Sequence, residues 1–315
     1  MLSDLSTESQ IRDRVLRALA LNRTPGYHYV GNFLDLSFDI NTVEDVRIGM
    51  DGGAHVAEAN GDINYAALAV LADMSMSANV RSGHTPATRM ATVQMSLQFT
   101  GAPIRGRLES ASKQQGYIAG ITSCQASTDC IVSVGGTPVC FGTGTFMVLD
   151  PPKGVALYSM PHRKAGDAEI APLAESELTR DERKVLALAD KALADKHKGG
   201  AFIRRFWGIE THALTQGAAG KLANGAHVSN RVGHLQGGLT MGLGVATAEA
   251  ALPATWMLSN VTAWYIRPGE GRVIKAKSKI LHHGRLTSVV RTVITGKNNK
   301  RVMEMVTTHA HRVPA

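Results

Sequence analysis

Apolar positions along the chain switch between two spacings. Ile11, Val15, Leu16 and Leu19 stand three or four apart within residues 7–22, the spacing of a helix with one buried side, and Ser6 or Thr7 is placed to cap it. Residues 28–38 and 45–50 read as strand-like. Residues 64–80 contain neither Gly nor Pro and are apolar on every side, which predicts a helix with little solvent contact. From 89 to 149 the period falls to two. The segments VQMSLQF, RLESAS, GYIAGITSCQA and VCFGTGTFMV, separated by Gly, Pro, Thr and Asp, predict antiparallel strands joined by hairpins. After Pro151-Pro152 comes a stretch rich in Pro, Gly and charge, and then the succession begins again. It offers an amphipathic helix over 179–196, strand-like sequence near 202–212 and a helix over 237–251. The strands WMLSNVTAWYI, RVIKAKSKILHH, LTSVVRTVITG and RVMEMVTTHAH follow, with a hairpin turn at 297–300.

The second succession is a copy of the first. Gly53-Ala54-His55-Val56 recurs as Gly225-Ala226-His227-Val228, 172 residues later. In the same frame Gly61 pairs with Gly233, Ile63 with Leu235 and Ala67 with Leu239. A shift of 165 then aligns Phe99 with Trp264 and Gly106-Arg107 with Gly271-Arg272. So long a period predicts two fused units rather than a solenoid: 1–152, a linker at 153–175, and 176–315. Each unit is a long buried helix followed by a meander able to wrap it, an α+β plan.

Composition narrows the partners. With 315 residues, 44% of them hydrophobic, the chain can fill two ordinary cores. Its formal charge of +8 favours a phosphate-bearing small molecule, a nucleic acid or an acidic protein. No RNP, zinc or helix-turn-helix pattern is present and aromatics are only 5%, so no nucleic-acid partner is expected. Cys124, Cys130 and Cys140 are odd in number and lack CxxC spacing, which predicts reduced thiols, a cytoplasmic location and no metal site. The first 23 residues alternate charge with apolar residues, unlike a signal peptide. Asp73 interrupts the best candidate for a membrane span.

The region before each buried helix resembles the hotdog-fold acyl-CoA thioesterases of the PaaI-like and 4-hydroxybenzoyl-CoA branch. Their motif is close to N-x-x-G-x-[VL]-H-G-G, with an Asp or Glu seven residues further on. Asn230, Gly233, Leu235, Gly237 and Gly238 match it, with Gln236 at the His position and Val245 at the acid position. In the first half Gly61 and Ile63 match, Glu58 stands for Asn, Asn64 for His and Tyr65-Ala66 for the glycines, while Asp73 supplies the acid. The resemblance implies a double hotdog whose units pack side by side, each site taking its glycine turn from one unit and its carboxylate from the other. One composite is then complete, with Asn230 and Gly237 facing Asp73. The opposite one, with Glu58, Tyr65 and Val245, lacks an acid.

The implied activity is hydrolysis of a small or aromatic acyl-CoA, with coenzyme A as part of the substrate, no separate cofactor, and further assembly into a homo-oligomer. A glycine amide at a helix N-terminus suits an oxyanion, so Gly237 is the expected donor. Asp73 is the expected base or nucleophile, its proton affinity raised by an apolar setting. Ser77, four residues on, is expected to hold the carboxylate or the water. Asn230 and Gln236 offer amides to orient the substrate carbonyl or water. Two other readings stand beside this one: a hotdog protein that binds acyl-CoA without cleaving it, and a hydratase, for which the His/Asp pair is missing. His55 and His227 are expected as repeated fold contacts and His282-His283 as structural residues, while His309 and His311, without Cys or carboxylate neighbours, are not expected to hold a metal. Arg267, Arg272, Arg285, Lys297, Lys300 and Arg301 are candidates to hold the phosphates.

Overall fold

Thr7–Asn22 forms α1, with the Ser6 hydroxyl accepting a hydrogen bond from the Ser9 amide as its cap. The computed structural model describes residues 6–312 apart from 27, 86–87, 119–123, 152, 155 and 196–200. The stretch expected to be strand over 28–38 is instead a short helix, α2 (Tyr29–Leu34), followed by strand β1 (Ser37–Asn41). His28 starts α2 by accepting the Gly31 amide on Nδ1, and Asp35 ends it in the left-handed region at φ 52°. All six helical residues are buried. Six residues are too few for a helical period to show, and a wholly buried segment has no polar face to mark it. The same correction applies to 202–212, which forms α5 (Phe202–Phe206) before β7 (Glu210–Leu214). Phe33 of α2 packs on Phe206 of α5 with ring centroids 5.0 Å apart.

The two buried helices are α3 (Tyr65–Ser82) and α6 (Gly237–Glu249). The first half contributes β1, β2 (Val46–Met50), β3 (Arg89–Phe99), β4 (Leu108–Tyr117), β5 (Gln125–Val134) and β6 (Thr137–Leu149). The second contributes β7, β8 (Gly217–Ala223), β9 (Trp256–Tyr265), β10 (Val273–His283), β11 (Thr287–Thr295) and β12 (Arg301–His311). They form one sheet in the order β1-β2-β4-β5-β6-β3-β9-β12-β11-β10-β8-β7, antiparallel throughout. Read from either edge, the order visits equivalent strands. At the seam between β3 and β9, Ser96 faces Thr262 with their hydroxyls 2.6 Å apart.

The loops repeat as well. A bridge between Ala57 and Ile63 recurs between Ser229 and Leu235, and the Asn64 amide bonds the Val56 carbonyl as Gln236 bonds Val228. Gly61 and Gly233 both turn the chain with positive φ, +84° and +80°. The α3 and α6 helices pack against each other antiparallel, with Gly238 set against Val70 and Gly242 against Ala66. A Cβ on Gly238 would stand 2.5 Å from the Val70 nitrogen, so the helices touch backbone to backbone there.

Helix α4 (Arg180–Ala194) begins at a Thr179–Glu182 capping box and lies beside α1, joined by Arg12–Asp190 at 2.9 Å. The described part of the preceding segment runs back over the first half, where the Phe38 amide bonds the Arg163 carbonyl at 2.6 Å. No helix among the described residues is long and apolar enough to cross a membrane.

Candidate active site

Because α3 and α6 run antiparallel, a residue past the middle of one lies beside the beginning of the other. Asp73 of α3 therefore meets the first turn of α6. Its Oδ1 accepts from the Thr92 hydroxyl at 2.8 Å and its Oδ2 from Gln236 Nε2 at 2.8 Å. The Gly238 amide also donates to this carboxylate. Asp73 is 6% exposed, and burial lifts its pKa from 3.8 to about 6. The bonds from Thr92 and Gln236, the charge of Arg81 and the Gly238 amide restrain that rise.

Gly237 is the first residue of α6. A Cβ there would lie 3.1 Å from Asp73 Oδ2, so a side chain would crowd the carboxylate. Among the described residues the Gly237 amide has no acceptor, as expected at the first turn of a helix, and it borders a cavity. The Gly237 carbonyl accepts from the Tyr265 hydroxyl at 3.0 Å. Gln236 caps α6 with Oε1, which accepts from Leu239, while its Nε2 holds Asp73. Asn230 turns its Oδ1 to the amides of Val232 and His234 at 3.0 and 3.1 Å, so it shapes the loop leading to α6. Ser77 borders the cavity, but its hydroxyl donates to the Met74 carbonyl at 3.2 Å and not to Asp73. Thr92 on β3 makes the contact expected of Ser77.

The cavity encloses about 440 Å³. Met74, Met90, Met147, Leu157 and Met160 give it apolar walls, and Arg81, Arg89, Arg231 and Arg267 give it positive charge. Asp73 is the sole carboxylate among its described lining residues. Of the six cations expected at the phosphates, only Arg267 borders this cavity. Among the described residues no group of three or more His, Cys, Asp or Glu is arranged to hold a metal.

The opposite composite is built differently. Tyr65 occupies the place of Gly237 and packs on Phe99 with centroids 4.9 Å apart. Val245, at the acid position, is buried. One helical turn later Glu249 enters the same region, so the expectation that this side has no acid holds for position 245 only. Arg204 bridges Glu58 at 2.8 Å and Glu249 at 3.1 Å, and Asn64 donates to Glu58. Burial raises the Glu249 pKa and Arg204 restrains the rise. Elsewhere His55 and His227 pack on Phe33 and Phe206, and burial holds them neutral with pKa values near 3 and 4.

No protein-family model matches the chain, and no curated protein matches it in sequence. Solved structures do. A Lactobacillus plantarum protein assigned as an oleoyl thioesterase is 12% identical, with 86% of this chain and 97% of that one covered at a TM-score of 0.53. An Alicyclobacillus acidocaldarius protein of unknown function, described as having a hot dog fold, is 8% identical over 89% and 96% at 0.52. The acyl-CoA thioesterase II TesB2 of Mycobacterium marinum is 11% identical over 91% and 99% at 0.50. These likenesses establish the hotdog fold.

Proposed function

We propose that this chain is a double hotdog that hydrolyses an acyl-CoA thioester at one composite site. The carrying observation is the desolvated Asp73 carboxylate of one half set against the open Gly237 amide of the other, in a cavity rich in arginine. The substrate is R–CO–S–CoA and the products are the acid and free coenzyme A thiol. In one course, water adds to the thioester carbon while Asp73 takes its proton, the carbonyl oxygen becomes an oxyanion beside the Gly237 N–H, and the C–S bond breaks. The departing thiolate then receives the proton from Asp73. In the other, an Asp73 oxygen adds to the same carbon and expels the thiolate, leaving a mixed anhydride; water then cleaves it to the acid and the Asp73 carboxylate, and the proton that water gives up goes to the thiolate. Both courses need a proton-free carboxylate, which a pKa near 6 provides at neutral pH.

In either course a pre-aimed backbone donor stabilises the oxyanion; losing such a donor costs enzymes on the order of 10²- to 10³-fold in rate. Gln236 and Thr92 fix the carboxylate, Asn230 shapes the turn that presents Gly237, and Ser77 forms part of the acyl wall. Arg89, Arg231 and Arg267 offer charge to the phosphates. The resemblance at Asn230–Gly238 supports a small or aromatic acyl group over a long unbranched one. The three cysteines are free thiols, consistent with a cytoplasmic protein. A homo-oligomer is part of the same reading.

Thiol release from short, aromatic and long acyl-CoA substrates tests the assignment. Wild type should release thiol, and Asp73→Asn should abolish release while leaving the fold and binding intact. Full activity in the variant overturns the assignment. Binding without cleavage is the second reading, favoured by Gln236 in place of His and by the three donors that hold Asp73. Heat released on titrating a non-hydrolysable thioether analogue, with no thiol release from the matching thioester, would select it.

A further inference from the structure

Asp73, Ser77 and Arg81 stand four residues apart on α3, and all three border the same cavity. With a rise of about 1.5 Å per residue, Arg81 lies about 12 Å along the helix from Asp73. Ser77 lies between them on the helix, and Met74, Leu157 and Met160 add apolar lining to the same cavity. Arg81 and Met160 also border the adjoining cavity that contains Asn41, Glu44 and His162, so they form the partition at this end. The cavity thus has a carboxylate and an amide donor at its centre, methionine and leucine walls, and a guanidinium at its limit.

Two further observations describe that limit. The Arg81 Nη1 donates to the Thr88 carbonyl at 3.0 Å, which fixes the guanidinium where α3 gives way to the chain leading into β3. Its charge lowers the proton affinity of Asp73, His28 and His162, three groups on different elements around the two cavities. His28 accepts the Gly31 amide on Nδ1, so its proton sits on Nε2, 3.3 Å from the Met74 sulfur. The cationic group at this end is Arg81. A planar guanidinium matches a carboxylate through two parallel hydrogen bonds, and an aliphatic chain meets the methionine wall.

We propose that Arg81 determines specificity by binding a carboxylate at the far end of the acyl chain, so that the preferred substrates are CoA monothioesters of aliphatic dicarboxylic acids. This inference rests on the thioesterase reading of the same cavity. The axial separation of about 12 Å, less the reach of the two side chains, leaves room for diacids of about six to eight carbons.

The test compares matched substrates: hexanoyl-CoA with adipoyl-CoA, and octanoyl-CoA with suberoyl-CoA, on wild type, Arg81→Met and Arg81→Lys. Wild type should favour each diacid thioester at least tenfold in kcat/KM. Arg81→Met should lose about 100-fold on the diacid thioesters, chiefly through KM, and at least tenfold less than that on the plain ones, where only the further rise in the Asp73 pKa acts. Arg81→Lys should recover part of the preference. No wild-type preference for the diacid thioesters overturns the proposal. So does an equal loss on both members of a pair, which would mean that Arg81 holds a phosphate of coenzyme A. If Arg81→Met does not fold, the wild-type pairs and Arg81→Lys still decide. If wild type cleaves none of the four, the thioesterase reading fails separately. Calorimetry with the corresponding thioethers then tests the carboxylate site: tighter binding of the ω-carboxylated analogue, weakened in the variants, supports it, and equal binding overturns it.

Discussion

Replacing Asp73 by Asn should make the folded protein less sensitive to alkali as well as inactive. A carboxyl whose pKa is about 6 in the native state and 3.8 when unfolded binds a proton more tightly when folded. The native state therefore loses stability as pH rises from about 4 to 6, and below pH 4 the effect is absent. At about 1.36 kcal/mol per tenfold in proton affinity, the loss is about 3 kcal/mol. The asparagine variant carries no such group. The difference in unfolding free energy, wild type minus Asp73→Asn, should fall by about 3 kcal/mol between pH 4 and pH 7. Urea unfolding of both proteins at half-unit steps in pH measures this. Any hydrogen bond that asparagine fails to reproduce shifts the difference by a constant and leaves its slope alone. The buried histidines, held neutral by burial, titrate in both proteins and cancel. A flat difference across this range would show that Asp73 is not held at a raised pKa and would remove the physical basis for its role as a base.

Other outcomes follow from the same geometry. The kcat/KM profile should fall on the acid side near pH 6, and Thr92→Val should move that limb upward, because a donor to the charged form is lost; an unmoved limb refutes the contact. Gly242→Ala should destabilise by about 1–3 kcal/mol in urea unfolding, since its new Cβ collides with Ala66 and the helices must separate. Arg204→Met should cost on the order of 2 kcal/mol with kcat unchanged, less than for a fully buried pair because each partner is about a quarter exposed. Titration with a non-hydrolysable analogue should find one site per chain; two equal sites would contradict the filled opposite composite.

Long elements were legible from pattern because many positions vote. Sixteen residues of α1 show the apolar stripe, and β3 and β6 announce themselves by alternation, whereas the strand expected over 116–126 covers only the end of β4 and the start of β5, with 119–123 outside the described residues. The short α2 and α5 have too few positions, and none is exposed in α2 to contrast with its buried ones. The repeat supplied no more than the equivalent positions; only through the resemblance, which pairs the glycine turn of one unit with the carboxylate of the other, was the facing of Asp73 and Gly237 within reach. Thr92 and Tyr265 were not, since a strand period chooses a face of the sheet but not which helical residue stands over it. Ser77 shows the complementary limit. Position 77 does share a side of α3 with Asp73, yet a serine hydroxyl in a helix readily bonds a carbonyl of the preceding turn, here Met74. Glu249 was hidden for a different reason: it lies one turn beyond the position that the motif designates.

The seam at Ser96 and Thr262 has a consequence for inheritance. In a dimer of identical chains with this geometry, any substitution is made twice, once on each side of the symmetry axis. A tyrosine in place of the amide-presenting glycine would then block both sites in a single event. Here the two sides are separate stretches of one polypeptide, so Tyr65 and Gly237 coexist, and so do Val245 and Asp73. One side is free to acquire the Glu58–Arg204–Glu249 cluster as a brace while the other keeps its cavity. Joining the halves into one continuous sheet lets two once-equivalent sides diverge, one braced by ion pairs and the other left open as a cavity.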